Sequence, residues 1–386
     1  MSTFLLQQGV IEQIDKYRRV CLWRGSQINA NQTPKAAWTM VCKDKKEGGL
    51  GVININTQNE ALLIKHLHKF FNREDIPWVS LIWEKYYSNG SLPGTRKVGS
   101  FWWRDIIKLL YKFKGMASVM VGDGKSCLFW EDMWGDEVIS QKFPELHSFA
   151  RNKNVTHATA QSHQPFHSMF HLPLSQQAYS QMIALQDIMQ ITQLTGEPDK
   201  WSYIWNNQSF SVRKAYKHLS GHTNIHQAFH WLWKTSCQSK HKVFFWLVLK
   251  DRISTRGLLK RKGMILPDYS CVLCGNATEE SLIHLLLHCP FAEQCWGKIN
   301  TQINRSLDPL QMLTSFRDQL GVPFFMEIII LMSWAIWRAR NDFIFRAINP
   351  TIQLTIMNFK DEWRLLLLRA KKSYSPMIDQ WTANLA

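Results

Sequence analysis

The chain has 386 residues, enough for two or three domains with cores of their own. Hydrophobic residues make up 45%, with 18 tryptophans and 21 phenylalanines, so most of it should fold, and eight scattered cysteines exclude a disulfide scaffold. Lysine and arginine total 46 against 30 acids, a net charge of +16 with a pI near 9.5, and that surplus points to an anionic partner, nucleic acid before a membrane surface.

The opening MSTFLLQQGVIEQID has no basic n-region or long apolar core, so it does not read as a signal peptide. Residues 4–24 read as a helix with Ile11, Ile14 and Val20 on its apolar face. Residues 29–34 read as a loop, and 43–52 as a basic turn running into a glycine bend. Three helices are predicted over 59–71, 78–87 and 101–113, the last two rich in aromatics. The period then changes: 117–121 and 127–131 flank Gly122-Asp123-Gly124-Lys125 as a β-hairpin. The GDGKS stretch lacks the first glycine of a phosphate loop, because Val119 stands there. Glu131, Asp132 and Asp136 read as turn and surface carboxylates.

Residues 144–172 read as a solvated linker carrying His147, His157, His163, His167 and His171, with Pro165 and Pro173 against a helical metal stripe. A helix over 175–194 follows, then a second short hairpin, 201–205 and 209–212, closed by Asn206-Asn207, and a helix over 212–219. Two aromatic-rich helical runs cover 229–234 and 242–250. Within 240–262 eight cations, Lys240, Lys242, Lys250, Arg252, Arg256, Lys260, Arg261 and Lys262, stand against one acid, Asp251. The pattern predicts two helices joined near 252–255, with a buried stripe and a basic surface; the competing reading of the run is a solvated helix face.

The next stretch, CVLCGNATEESLIHLLLHC, carries the chemistry. Cys271 and Cys274 are spaced as a knuckle, and Gly275 lets the backbone bend behind them. His284 follows on a helix predicted over 279–288, whose apolar stripe is Leu282, Leu285 and Leu286, and Cys289 comes after it. Three thiolates and an imidazole suit tetrahedral zinc. His288, four residues after His284, is the alternative to Cys289 as the last ligand; Cys289 is preferred because His-x4-Cys is a zinc-knuckle spacing. With no position left open for water the zinc reads as structural. A redox CxxC would need neither His284 nor Cys289. After the knuckle, helices are expected over 291–303, 324–345 (apolar nearly all round) and 351–372. The run 324–337 contains Glu327 and is too short to span a bilayer.

Several segments in order carry a resemblance: Lys46-Glu47-Gly48-Gly49-Leu50-Gly51, Asn59-Glu60-Ala61-Leu62-Leu63-Ile64-Lys65, Val121-Gly122-Asp123-Gly124-Lys125 with Phe129-Trp130-Glu131-Asp132-Met133-Trp134, and Phe143-Pro144-Glu145-Leu146. Phe210-Ser211-Val212-Arg213-Lys214-Ala215-Tyr216, Trp233-Lys234, Phe245-Trp246 and the knuckle with Pro290-Phe291 complete them. Over roughly residues 20–300 the chain resembles the C-terminal part of plant LINE-type (non-LTR) retrotransposon polyproteins, after the polymerase core and through the reverse-transcriptase zinc-binding domain. The resemblance implies zinc binding and contact with the element's own RNA or DNA. The Tyr-x-Asp-Asp motif of that family is absent, and Ser239-Lys240-His241-Lys242 stands where a proline-lysine pair is usual. No endonuclease or ribonuclease H segment is recognised.

The fold class expected is mainly α with small β-hairpins (α+β), divided as a post-polymerase helical region with hairpin over 1–143, a linker and helix over 144–195, the zinc-binding domain over 196–305 and a C-terminal helical extension over 306–386. The function expected is a noncatalytic, zinc-stabilised RNA- or DNA-binding module, a fragment or relic of a retrotransposon protein, with the eight cations as its nucleic-acid contacts. The other readings are a protein-interaction scaffold, a remnant without a present role, or an accessory part that joins a polymerase polypeptide. No enzyme activity and no membrane association are expected, and the location expected is intracellular, nuclear or cytoplasmic.

Overall fold

The computed structural model describes residues 3–25, 34–88, 92–93, 98–205, 209–370 and 372–383. Among the described residues it is mainly helical, as the periodicity predicted, with one two-stranded sheet. The chain forms two compact units, one of Met1–Lys16 with Asn54–His222, the other of Tyr17–Ile53 with Thr223–Ala386. This division does not follow the four segments drawn from the sequence.

The first unit is built on the helix Ile55–Phe71, which Asn54 opens by accepting the Thr57 amide at 3.1 Å. Its buried face, Leu63, Ile64, Leu67, Phe70 and Phe71, meets an aromatic core that includes Trp103, Phe113, Phe129, Trp130 and Trp201. Phe70 stacks on Trp83 with centroids 4.3 Å apart. Strands are present where two hairpins were expected, but they pair with each other. Strand β1 (Ala117–Met120) runs antiparallel to β2 (Lys200–Tyr203), in register Ala117 to Tyr203. The stretch 127–131 turns instead of returning as a strand, and Asn206-Asn207 lies outside the described residues.

The loop after β1 shows why GDGKS is no phosphate loop. The carboxylate of buried Asp199 fills it, accepting from the amides of Gly122, Gly124 and Ser126 and from the Ser126 hydroxyl, all at 2.8 Å. A Cβ on Gly122 would lie 2.2 Å from the Glu197 carbonyl, so only glycine fits.

Two expectations on this unit are corrected. Residues 144–172 are not a solvated linker: Leu146, Val155, Ala160, Phe166, Met169 and Phe170 are in the core, and His157 is fully buried against Trp134 and Phe129. The short helices Pro144–Ser148 and His157–Ser162 place them there. Asp132 is not a surface group either. It is 1% exposed, pairs with Lys114 and accepts the Leu128 amide at 2.6 Å. Burial raises its pKa above the usual carboxylate value, and Lys114 offsets part of that.

The second unit is organised by the helix Phe325–Arg346, apolar on nearly every side and buried along its first half. It ends where Ala347 takes a left-handed turn at φ 54°. Helices Ser239–Leu249, Pro290–Gly297, Pro309–Leu320 and Ile352–Leu367 pack on it. Pro309–Leu320, which the sequence reading passed over, opens on a reciprocal Asp308–Gln311 capping box with Pro309 in its first turn and closes at Gly321. No single helix among the described residues is long and apolar enough to cross a membrane.

Candidate metal centre

Cys271, Cys274, His284 and Cys289 come together in the second unit, with one ligand atom of each within 4.8 Å of all the others. Among the described residues they are the one such group of three or more metal-binding side chains. A small hairpin holds the knuckle: Ser270 bridges to Glu279, and the Cys271 amide donates to the Thr278 carbonyl at 2.9 Å. Gly275 turns between them at φ 64°, a conformation costly for other residues.

The helix that carries His284 begins later than expected, at residue 282, and passes from α to π at His284. His284–His288 is one π-helical turn, closed by the Cys289 amide donating to the His284 carbonyl at 2.7 Å. In an α-helix, at about 100° per residue, His288 would share a face with His284 and Cys289 would sit about 140° away. The extra residue in the π turn reverses that choice and brings Cys289 beside His284. His288 is therefore not part of the group, and the alternative ligand drops out. The turn's interior Leu286 carbonyl is satisfied by the Trp296 indole at 2.8 Å.

Cys289 also caps the helix Pro290–Gly297, and the amides of Phe291 and Ala292 favour its thiolate. The largest effect on it is the hydrogen bond from Cys271, which lowers Cys289 and raises Cys271. His284 is pushed toward its neutral, ligating form, by burial first and then by His288.

The donor set fits zinc. With Zn–S about 2.3 Å and Zn–N about 2.0 Å, a tetrahedral ion sets its sulfurs about 3.8 Å apart and a sulfur and a nitrogen about 3.5 Å apart. Cys271 Sγ and Cys289 Sγ are 3.8 Å apart, and Cys274 Sγ lies 3.5 Å from His284 Nε2.

A buried ion pair ties the knuckle to the core, and the sequence reading missed it. Glu280 directly follows the hairpin and is fully buried; it receives three hydrogen bonds from Arg340 of the long helix, the shortest at 2.7 Å, at Oε1. The same oxygen accepts the Arg256 amide at 2.9 Å, and the Glu280 carbonyl accepts the Gly257 amide at 3.0 Å. A Cβ on Gly257 would meet that carbonyl at 2.9 Å. A glutamate beside a zinc knuckle and an arginine in an apolar helix were the available signal.

The eight cations of 240–262 divide into two sets. Four face carboxylates: Lys240 pairs with Glu362 at 2.8 Å, Arg256 with Asp268 at 3.1 Å, Lys260 with Glu279 at 2.7 Å and Arg261 with Asp251 at 2.6 Å. Among the described residues no carboxylate ion pair reaches Lys242, Lys250, Arg252 or Lys262. The two helices of the run are present as Ser239–Leu249 and Arg256–Arg261.

Residues 210–296 match the family described as zinc-binding in reverse transcriptase. The span includes all four ligands. The chain is also similar to the "Putative ribonuclease H protein" of Arabidopsis thaliana, 28% identical over 391 aligned residues that take in 96% of this chain and 61% of that protein. A second relative, an "Uncharacterized mitochondrial protein" of the same plant, is 29% identical over 35% of this chain and 88% of its own length. The chain thus spans about three fifths of the first relative. These similarities support a retrotransposon derivation, and zinc is the cofactor they and the Cys3His geometry agree on.

One expectation is overturned here. The chain was read as no enzyme, yet a relative aligned over nearly all of it carries a ribonuclease H name. The missing Tyr-x-Asp-Asp motif removes the residues for one reaction, nucleotidyl transfer; it says nothing of chemistry that needs other side chains.

Proposed function

We propose that the chain is the zinc-stabilised, nucleic-acid-contacting part of a non-LTR, LINE-type retrotransposon protein, working inside the cell beside or within a polymerase polypeptide. The observation that carries this reading is the four-ligand group inside the segment that matches a reverse-transcriptase zinc-binding family. The ion would fix the knuckle, and through Glu280 the knuckle holds the start of the basic helix Arg256–Arg261 and Arg340 of the long helix. Cations on that surface would neutralise phosphates and would displace their counterions.

The test is binding of RNA and of DNA by the zinc-loaded chain across a salt series, with ribonuclease H activity assayed on the same preparation because of the relative's name. Affinity that falls linearly with the logarithm of salt supports the reading. Absence of binding to either polymer at low salt sinks it.

A further inference from the structure

The unpaired half of the basic run does not stand alone. The helices Ala228–Lys234 and Ser239–Leu249 pack together, and the first also packs on the 3₁₀ turn Lys45–Glu47, so lysines about two hundred residues apart in sequence share one surface. The Trp246 indole donates to the Gly48 carbonyl at 2.9 Å and fastens the glycine bend to the second helix. Lys250 Nζ lies 4.4 Å from the centre of the Phe229 ring and would touch a Cβ on Gly48 at 3.1 Å. Lys45 Nζ lies 4.9 Å from the centre of the Trp233 ring, and Lys43 Nζ donates to the Thr223 hydroxyl at 3.0 Å.

Among the described residues none of Lys43, Lys45, Lys242 and Lys250 has a carboxylate ion pair. Of the two acids of this turn, Asp44 and Glu47, Asp44 accepts the Lys46 amide at 2.8 Å. Burial lowers the basicity of Lys250, and Lys43 lowers it further. Burial also lowers Lys242; Cys237 and Glu327 offset this, and Lys45 adds to it. The Lys45 and Lys250 ammonium groups lie over aromatic rings and, among the described residues, in no carboxylate ion pair, which leaves them poised for an anion. The bend itself offers no donors, because the amides of Gly48, Gly49, Leu50 and Gly51 are spent on the carbonyls of Lys45, Asp44, Val41 and Lys43. What remains are point charges, which suit phosphate oxygens and read no base edge.

We propose that Lys43, Lys45, Lys242 and Lys250 form a phosphodiester-binding face that takes the backbone of RNA or DNA without sequence preference, while the ion-paired Lys240, Arg256, Lys260 and Arg261 stay out of the contact. This rests on the nucleic-acid reading above and names its surface, which includes two lysines from outside the run the sequence singled out.

The experiment uses the full zinc-loaded chain and a fluorescent oligouridylate, titrated by anisotropy between about 50 and about 200 mM salt. The triple variant Lys43→Gln, Lys45→Gln, Lys250→Gln should lose about tenfold in affinity and about 2 in salt slope, three phosphate contacts at about 0.7 each. The triple Lys240→Gln, Lys260→Gln, Arg261→Gln should stay within about twofold of the parent. Circular dichroism and zinc content serve as folding checks, and Lys→Arg at the first three positions should keep binding. Equal losses in both triples, or an unchanged first triple, overturn the surface and leave the general reading standing. A parent chain that binds no oligonucleotide removes both. Binding of phosphatidylserine vesicles through the same lysines without oligonucleotide binding overturns the proposal in favour of a membrane surface.

Discussion

The amide of Cys289 bonds back to the carbonyl of His284, five residues earlier, at 2.7 Å. One bond of this length decides which side chain completes the metal site. It replaces the α-helical pairing that would have offered His288.

Ligand identity follows directly. Cys289→Ser should lose stoichiometric zinc, whereas His288→Gln should retain it. Metal analysis of the purified variants checks both, and a zinc-free His288→Gln protein would contradict the geometry. Chelation of the parent should lower its unfolding midpoint, since ligand binding to the folded state adds stability.

Glu280 is the second point. Glu280→Ala strands Arg340 inside the core and should cost about 3–5 kcal/mol. The double change Glu280→Met, Arg340→Met should cost less than Glu280→Ala alone, because no charge is left buried. Denaturant unfolding monitored by tryptophan fluorescence gives both numbers.

Asp199 holds the Gly122–Ser126 loop with four hydrogen bonds. Asp199→Ala should destabilise by at least about 3 kcal/mol, through buried donors left unpaired. Asp199→Asn keeps the shape but lacks the second acceptor oxygen, and it should fall between parent and alanine variant. The readout is unfolding free energy and hydrogen exchange at the Gly124 amide.

His157 gives the pH dependence. Burial lowers its pKa from 6.5 to about 4 in the folded chain, against a small opposing pull from Asp199. The unfolded chain therefore takes up a proton that the folded chain refuses between those values. The stabilisation is full above 6.5 and is lost as pH falls toward about 4. His157→Phe should flatten the difference in stability between pH 7 and pH 5 relative to the parent. An unaltered difference would place the acid sensitivity elsewhere.

Much of the helical framework was legible, because apolar periodicity and caps are local. The helix 55–71 and the long helix 325–346 differ from their predicted spans by a few residues at most. The pairing of the strands was not legible. β1 finds β2 some eighty residues later, and a backbone ladder leaves no mark on the sequence between. Polar composition misled at 144–172, where a few apolar side chains and His157 suffice to hold the stretch in the core. The zinc ligands could be proposed from spacing alone, since metal chemistry restricts residue types, and the spacing already favoured Cys289 over His288; the π turn that seats Cys289 beside His284 was not legible. Charge was readable along 240–262, but which cations meet carboxylates depends on Glu362 and Glu279, which only the fold brings near.

The π turn stores one residue more than an ordinary helix would use between two ligands. If the ion left, relaxation of that surplus into α-helical geometry would swing everything from Pro290 onward by about a quarter turn or more. The first helix to follow carries Trp296, stacked on Phe316 with centroids 4.5 Å apart. A bound zinc would thus act as a latch on a register shift, and demetallation would loosen the aromatic core beneath it in the same event.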